Sequence, residues 1–145
     1  MNDRVKVFFE LEPDEDGYPP CSCESLWAEK VGENSFKIDN IPFYARDVSL
    51  GDVVYAPPSS DGSVYKKHME RSENSTIRVI LFDGQDTSPL FDMLKKCGCE
   101  YEGGVPKDLI AVNIPPSADL NALLRYLNSE HRAGRLEYEE AAKRY

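Results

Sequence analysis

The 145-residue chain has two histidines and one tryptophan, and it is short of basic side chains: 17 lysines and arginines against 26 acids leave a net charge of −9. Each shortage excludes something. A deficit of this size removes the basic surface that a nonspecific grip on DNA, RNA or an anionic membrane requires. Apolar runs such as Val79–Phe82 and Leu109–Val112 fall far short of the ~20 residues a bilayer span needs. The start, Met1-Asn2-Asp3-Arg4-Val5-Lys6, breaks its apolar stretch with charges and has no signal-peptide core, which points to the cytoplasm. Neither histidine sits in a recognisable motif: His68 lies in the charged stretch Lys66-Lys67-His68-Met69-Glu70, and His131 lies at a helix end, where a cation complements the dipole. There is no Gly-x-Ser-x-Gly, no His-Glu-x-x-His and no calcium loop. Gly103-Gly104 precedes no helix start, so it reads as a turn between strands and not as a phosphate loop. The expectation is a protein without catalysis, metal or cofactor. Its composition, 41% hydrophobic and 30% charged, is that of a folded domain.

What cysteine there is comes as two Cys-x-Cys pairs, Cys21/Cys23 and Cys97/Cys99. Four thiolates suggest zinc, but zinc pairs are usually spaced by two to four residues, the length of the turn that holds the metal. One intervening residue is too short, and in a cytoplasmic chain reduced thiols are the default. Cys97 is also explained as the last apolar position of a helix.

The hydrophobic period changes halfway along the chain. Val5, Val7, Phe9 and Leu11 alternate with Lys6, Phe8 and Glu10, which buries one face of a strand. Ser25–Val31 and Ser35–Asp39 follow as a hairpin turning at Glu33-Asn34 or one residue earlier. Leu50-Gly51-Asp52 is a turn, in which Asp52 reads as an acceptor tying the turn down. Val53–Ala56 and Val64–Arg71 are further strands, with a loop at Pro57–Gly62 between them. The strands bearing Trp27 and Phe36 read as barrel core. The second half alternates strand and helix: a strand at Thr76–Phe82, then a helix capped by Ser88 with Pro89 as its first residue and Gly98 as its left-handed end. Strands at Cys99–Glu102 and Asp108–Ile114 are joined by Gly103-Gly104-Val105-Pro106. A second helix is capped by Ser117 and buries Leu120, Leu123, Leu124 and Leu127, and a last strand holds Leu136 and Tyr138. The predicted fold class is α+β: a small β-barrel-like or bent-sheet lobe, residues 1–72, packed on a ferredoxin-like βαββαβ lobe, residues 73–145.

The acid excess is uneven. Residues 1–72 hold 8 basic and 14 acidic side chains, and residues 73–145 hold 9 and 12. Five of the acids, Glu10, Glu12, Asp14, Glu15 and Asp16, fall within one run of eight residues that ends beside Tyr18. Such a run is either a solvated loop or a docking patch for a basic partner, with Tyr18 as an aromatic anchor. Tyr44, Tyr55 and Tyr65 are candidates to line a groove, but sequence alone does not place them on one face.

At Leu26-Trp27-Ala28-Glu29, Phe36-Lys37-Ile38-Asp39-Asn40-Ile41-Pro42-Phe43-Tyr44-Ala45 and Leu50-Gly51-Asp52-Val53-Val54 the chain resembles the bacterial domain of unknown function 4265 family. Thr76-Ile77-Arg78-Val79, Cys97-Gly98-Cys99-Glu100 and Leu136-Glu137-Tyr138-Glu139-Glu140 extend the resemblance over about residues 24–141. The family supplies no settled activity. The resemblance implies a small bacterial cytoplasmic protein of a kind found in neighbourhoods that suit toxin-neutralising immunity proteins. The functional expectation is a non-enzymatic protein-binding module. Its most direct form is an immunity protein that neutralises a cognate bacterial toxin, a basic domain, through Glu10, Glu12, Asp14, Glu15, Asp16 and Tyr18. The alternatives are a small-molecule-sensing regulator using the ferredoxin-like lobe, or an enzyme whose site follows no motif.

Overall fold

Alternate residues of the N-terminal half turn inward: Val7 and Phe9, Leu26 and Ala28, Phe36 and Ile38, and Val54 are all 5% exposed or less. The computed structural model describes residues 4–103 and 108–145 and divides the chain into two units, Met1–Ser72 and Glu73–Tyr145. In the first unit β1 (Arg4–Glu10), β2 (Cys23–Gly32), β3 (Ser35–Ile38), β4 (Val53–Tyr55), β5 (Pro58–Ser59), β6 (Gly62–Val64) and β7 (Lys67–Glu70) form one curled, half-barrel sheet. Its order is β5-β6-β1-β2-β3-β4-β7. The registers Val7↔Leu26, Ala28↔Ile38 and Phe36↔Val54 set the inward side chains opposite one another, so a single core fills the concave face. Ala45 and Val48, from the segment between β3 and β4, complete that core.

Two expectations for this unit need correction. The loop at 57–62 and the single strand at 64–71 are in fact β5, β6 and β7. The chain leaves β6, which runs parallel to β1, and crosses at Tyr65 and Lys66 to pair β7 with β4. Tyr65 N–H donates to Phe8 O (2.9 Å) and Lys66 N–H to Tyr55 O (2.9 Å), so two successive residues bind β1 and β4, which have β2 and β3 between them in the sheet order. Alternation within one strand cannot reveal a change of partner. Trp27 is not core: it is 42% exposed, because Leu26 and Ala28 take the inward positions of β2. Across the outer face it meets the Arg4 guanidinium at 5.2 Å and the Lys6 ammonium at 5.0 Å from its ring centroid.

The second unit runs β8 (Ser75–Leu81), α1 (Ser88–Cys97), β9 (Glu100–Gly103), β10 (Leu109–Ile114), α2 (Leu120–Arg132), β11 (Leu136–Ala142). Its sheet has the order β11-β8-β10-β9, all antiparallel. Ile77, Val79 and Leu81 of β8 and Ile110, Val112 and Ile114 of β10 pack with Leu90, Leu94 and Cys97 of α1 and Leu123 and Leu127 of α2. The helical spacing of those leucines is therefore one buried stripe on each helix, both set against one face of the sheet. The helix starts differ from expectation. Thr87 occupies the N-cap of α1, with Ser88 already helical and its N–H taken by Asp86 Oδ1 at 3.0 Å. Asp119, not Ser117, caps α2, accepting from Ala122 N–H at 3.1 Å. Gly98 does adopt the left-handed cap (φ 85°). Most of the expected turn at residues 103–106 lies outside the described residues. No described helix is long and apolar enough to cross a membrane.

Candidate functional site

Glu24 sits at the open end of β2 on the inward-facing register, where an ionised carboxylate needs donors. It finds three: the N–H groups of Phe43 (2.6 Å), Tyr44 (2.9 Å) and Ala45 (2.7 Å) converge on its two oxygens. This clasp fixes the segment that carries Tyr44 and Arg46. Together with Phe9, Leu11 and Tyr65 these residues line a cavity of about 350 Å³, bordered by Glu10 and Glu12. Tyr65 stacks on Phe9 at 4.9 Å, and Tyr18 stands edge-on to Tyr44 at 6.1 Å.

The six sequence-predicted site residues are distributed around that cavity unequally. Glu10 and Glu12 border it; Asp14, Glu15, Asp16 and Tyr18 do not, although Tyr18 supports a lining residue. All five acids are exposed. The loop is nonetheless ordered by its own hydrogen bonds. Asp14 Oδ1 accepts the N–H groups of Asp16 (2.9 Å) and Tyr18 (3.0 Å), and Asp14 N–H donates to Tyr18 O (2.8 Å). Asp14 is thus an organiser of the turn, while Glu15 and Asp16 are displayed on it. Of the three tyrosines proposed for a groove, Tyr44 and Tyr65 share the cavity wall. Tyr55 does not; it lies under the Lys67 ammonium at 5.6 Å.

Tyr65 also belongs to a buried polar chain that no local motif marks. Asp52 is fully buried, the His68 side chain is 5% exposed, and His68 Nε2 lies 2.9 Å from Asp52 Oδ2. The Tyr65 hydroxyl lies 2.8 Å from His68 Nδ1. A carboxylate can only accept, so Nε2 carries a proton; in the neutral ring Nδ1 then accepts the Tyr65 proton. Asp52 also accepts from Ser49 N–H (3.0 Å) and Ser72 N–H (2.8 Å), so its expected role in tying down the turn holds beside this second one. Burial pushes the Tyr65 phenol above its ordinary range; Arg71 pulls it partway back, and Asp47 and Asp52 add to the rise. The phenol therefore keeps its proton at physiological pH. Pairing of β4 with β7 sets Val54 opposite His68, which brings residues 52 and 68 together.

The remaining chemistry-bearing residues lie elsewhere. His131 Nδ1 is 3.3 Å from Glu137 at the end of α2. Among the described residues no three His, Cys, Asp or Glu side chains are grouped closely enough to hold a metal ion. Cys97 and Cys99 are buried, and burial raises both thiols, Cys99 to about 11 with Cys97 adding to the effect. Cys23 is exposed and Cys21 half-buried. Thiolate is the reactive form. Partial burial, with Cys21, Glu10 and Glu24 nearby, raises the Cys23 thiol too, so accessibility decides the order: Cys21 and Cys23 of the folded protein should react with Ellman's reagent at pH 8, and Cys97 and Cys99 only on unfolding. Rapid release of four equivalents from the native protein would contradict this burial.

The architecture defines an α+β protein with a curled seven-stranded sheet and a four-stranded sheet carrying two helices. The chain belongs to the family described as Domain of unknown function (DUF4265), which matches residues 24–138. It is also similar to the crystal structure of a hypothetical protein from Neisseria gonorrhoeae, at 22% identity and a TM-score of 0.80, over 98% of this chain and 95% of that one. At that identity the likeness speaks for the fold alone. No curated protein matches the chain.

Proposed function

We propose that the chain is a non-enzymatic, protein-binding module of the bacterial cytoplasm, and most directly an immunity protein that neutralises a cognate toxin by covering a basic surface. One observation carries the reading. The acidic stretch runs from Glu10, the last residue of β1, to Asp16; Glu10 and Glu12 border a cavity walled by Tyr44 and Tyr65, and Asp14 holds the far end in shape. Preformed acidic loops pay little ordering entropy on docking, and their charge steers a basic partner toward the aromatic contacts that supply affinity. On this reading the C-terminal unit is a ferredoxin-like sandwich whose role is support, and neither metal nor cofactor takes part.

Co-expression with the product of the adjacent coding sequence tests the proposal. A stable complex, together with relief of that product's toxicity by this chain, is the expected result. Absence of both would overturn the immunity reading.

A second reading has an observation of its own. A cavity of about 210 Å³ in the C-terminal unit is lined by Glu73, Ser75, Ile114, Leu120, Arg144 and Tyr145, and one acid with one base suits a small ligand carrying both charges, such as an amino acid, and a sensing role. Thermal-shift screening with amino acids and nucleotides separates the two. Stabilisation by such a ligand, lost in Arg144→Ala, would favour the sensor.

A further inference from the structure

The geometry points to a specific occupant for the N-terminal cavity: we propose that it receives the guanidinium of an arginine side chain presented by a partner protein. This deepens the protein-binding reading and rests on it for its biological setting. Three features of the wall select a cation. Tyr44 and Tyr65 line the cavity, with the buried Phe9 stacked on Tyr65 at 4.9 Å, and the face of an aromatic ring is the negative part of its quadrupole. Glu10 and Glu12 border the same space, so two carboxylates stand beside the rings. With the His68 ring neutral, the Tyr65 hydroxyl donates its hydrogen bond to Nδ1 (2.8 Å), and the opposite nitrogen is fixed by buried Asp52. That bond leaves the phenol oxygen with acceptor capacity only, and hydrogen bonds in series polarise the ring further.

Arginine fits this wall better than lysine. Its guanidinium is planar, weakly hydrated, able to stack on a ring and able to meet a carboxylate with two parallel hydrogen bonds. A compact ammonium makes neither the stacked nor the forked contact. A cavity of about 350 Å³ holds such a head group with part of its apolar stem. Arg46 also lines the cavity and opposes the occupant electrostatically, which makes it a second handle on the proposal.

The test uses the full chain and an acetylated, amidated Gly-Arg-Gly peptide followed by NMR, with the citrulline peptide as the uncharged isostere. The expected result is saturable shifts of the Tyr44 and Tyr65 ring resonances with arginine, and binding ~tenfold weaker with citrulline. Glu10→Gln with Glu12→Gln should weaken the arginine peptide several-fold, and Arg46→Ala should tighten it. All three positions are exposed, so these variants keep the fold, which circular dichroism checks. Equal binding of the two peptides, absence of saturable shifts at the tyrosines, or indifference to the glutamates would each overturn the proposal. A failure here removes the arginine pocket but leaves the acidic loop as a docking surface, because Glu15 and Asp16 lie outside the cavity lining. Failure of the co-expressed complex would remove the immunity reading but leave peptide binding intact.

Discussion

Asp52→Ala is expected to lower the unfolding free energy by about 3–5 kcal/mol, because one buried carboxylate serves three donors. The magnitude follows from what is stranded. The substitution leaves the buried His68 imidazole without its acceptor and also frees the N–H groups of Ser49 and Ser72. Each buried donor left unpaired costs about 1–3 kcal/mol. Asp52→Asn keeps one carbonyl acceptor in nearly the same shape and should cost less. Tyr65→Phe removes only the outermost link and should cost about 1 kcal/mol. With a urea slope of about 2 kcal/mol/M, the alanine variant should lose roughly 2 M from its midpoint. A midpoint within a few tenths of the wild-type value would mean that the Asp52–His68–Tyr65 chain does not organise this unit.

Glu24→Ala should be the next most damaging change, at about 3 kcal/mol, because three backbone donors lose one ionised acceptor. Its signature is local. The amides of Phe43, Tyr44 and Ala45 should exchange with deuterium orders of magnitude faster than in the wild type, while those of β10 should be unaffected. Glu24→Gln keeps one acceptor oxygen but sets an NH2 group against N–H donors, so it should fall between the two. Slow exchange at residues 43–45 in the alanine variant would contradict the clasp. The same variant should also broaden the Tyr44 ring resonance, because the clasp holds one wall of the cavity.

Much of the fold is legible in the sequence because burial imposes a period. Val7 and Phe9, Phe36 and Ile38, and the leucine stripe of α2 each announce their face by spacing alone. Trp27 shows the limit of residue type as a guide. Large and apolar, it falls on the outward positions of β2, and alternation with Leu26 and Ala28 outranks its hydrophobicity. The crossing at Tyr65 and Lys66 leaves no local mark, since β6 and β7, of three and four residues, are too short to show a period of their own. The helix caps were off by one or two positions. Ser88 and Ser117 are good caps by composition, yet the chain begins its helices after Thr87 and Asp119.

The candidate site was legible in part, and for the same reason. An acidic run is a one-dimensional feature, so Glu10 to Asp16 stood out at once. Asp14's service to Asp16 and Tyr18 is a local turn that an aspartate two residues ahead can signal. Asp52, His68 and Tyr65 meet only through the pairing of β4 with β7. Their separation in sequence hides them, and a lone histidine among lysines resembles a surface residue. Its spacing of three from Tyr65 was the available signal.

The central claim is that the ordered acidic loop is the docking face for a basic partner. Its most direct test is the association rate of the protein with the co-expressed neighbour, as a function of salt, for the wild type and for a variant with Glu10, Glu12, Asp14, Glu15 and Asp16 all changed to Asn. Steering between exposed charges is screened beyond ~8 Å at physiological ionic strength, so the effect belongs to the on-rate more than to the final affinity. The account predicts that the variant associates ~tenfold or more slowly at low salt and loses most of the salt dependence. An unchanged on-rate with unchanged salt dependence would contradict it, and would mean that the five acids form a solvated loop with no part in docking.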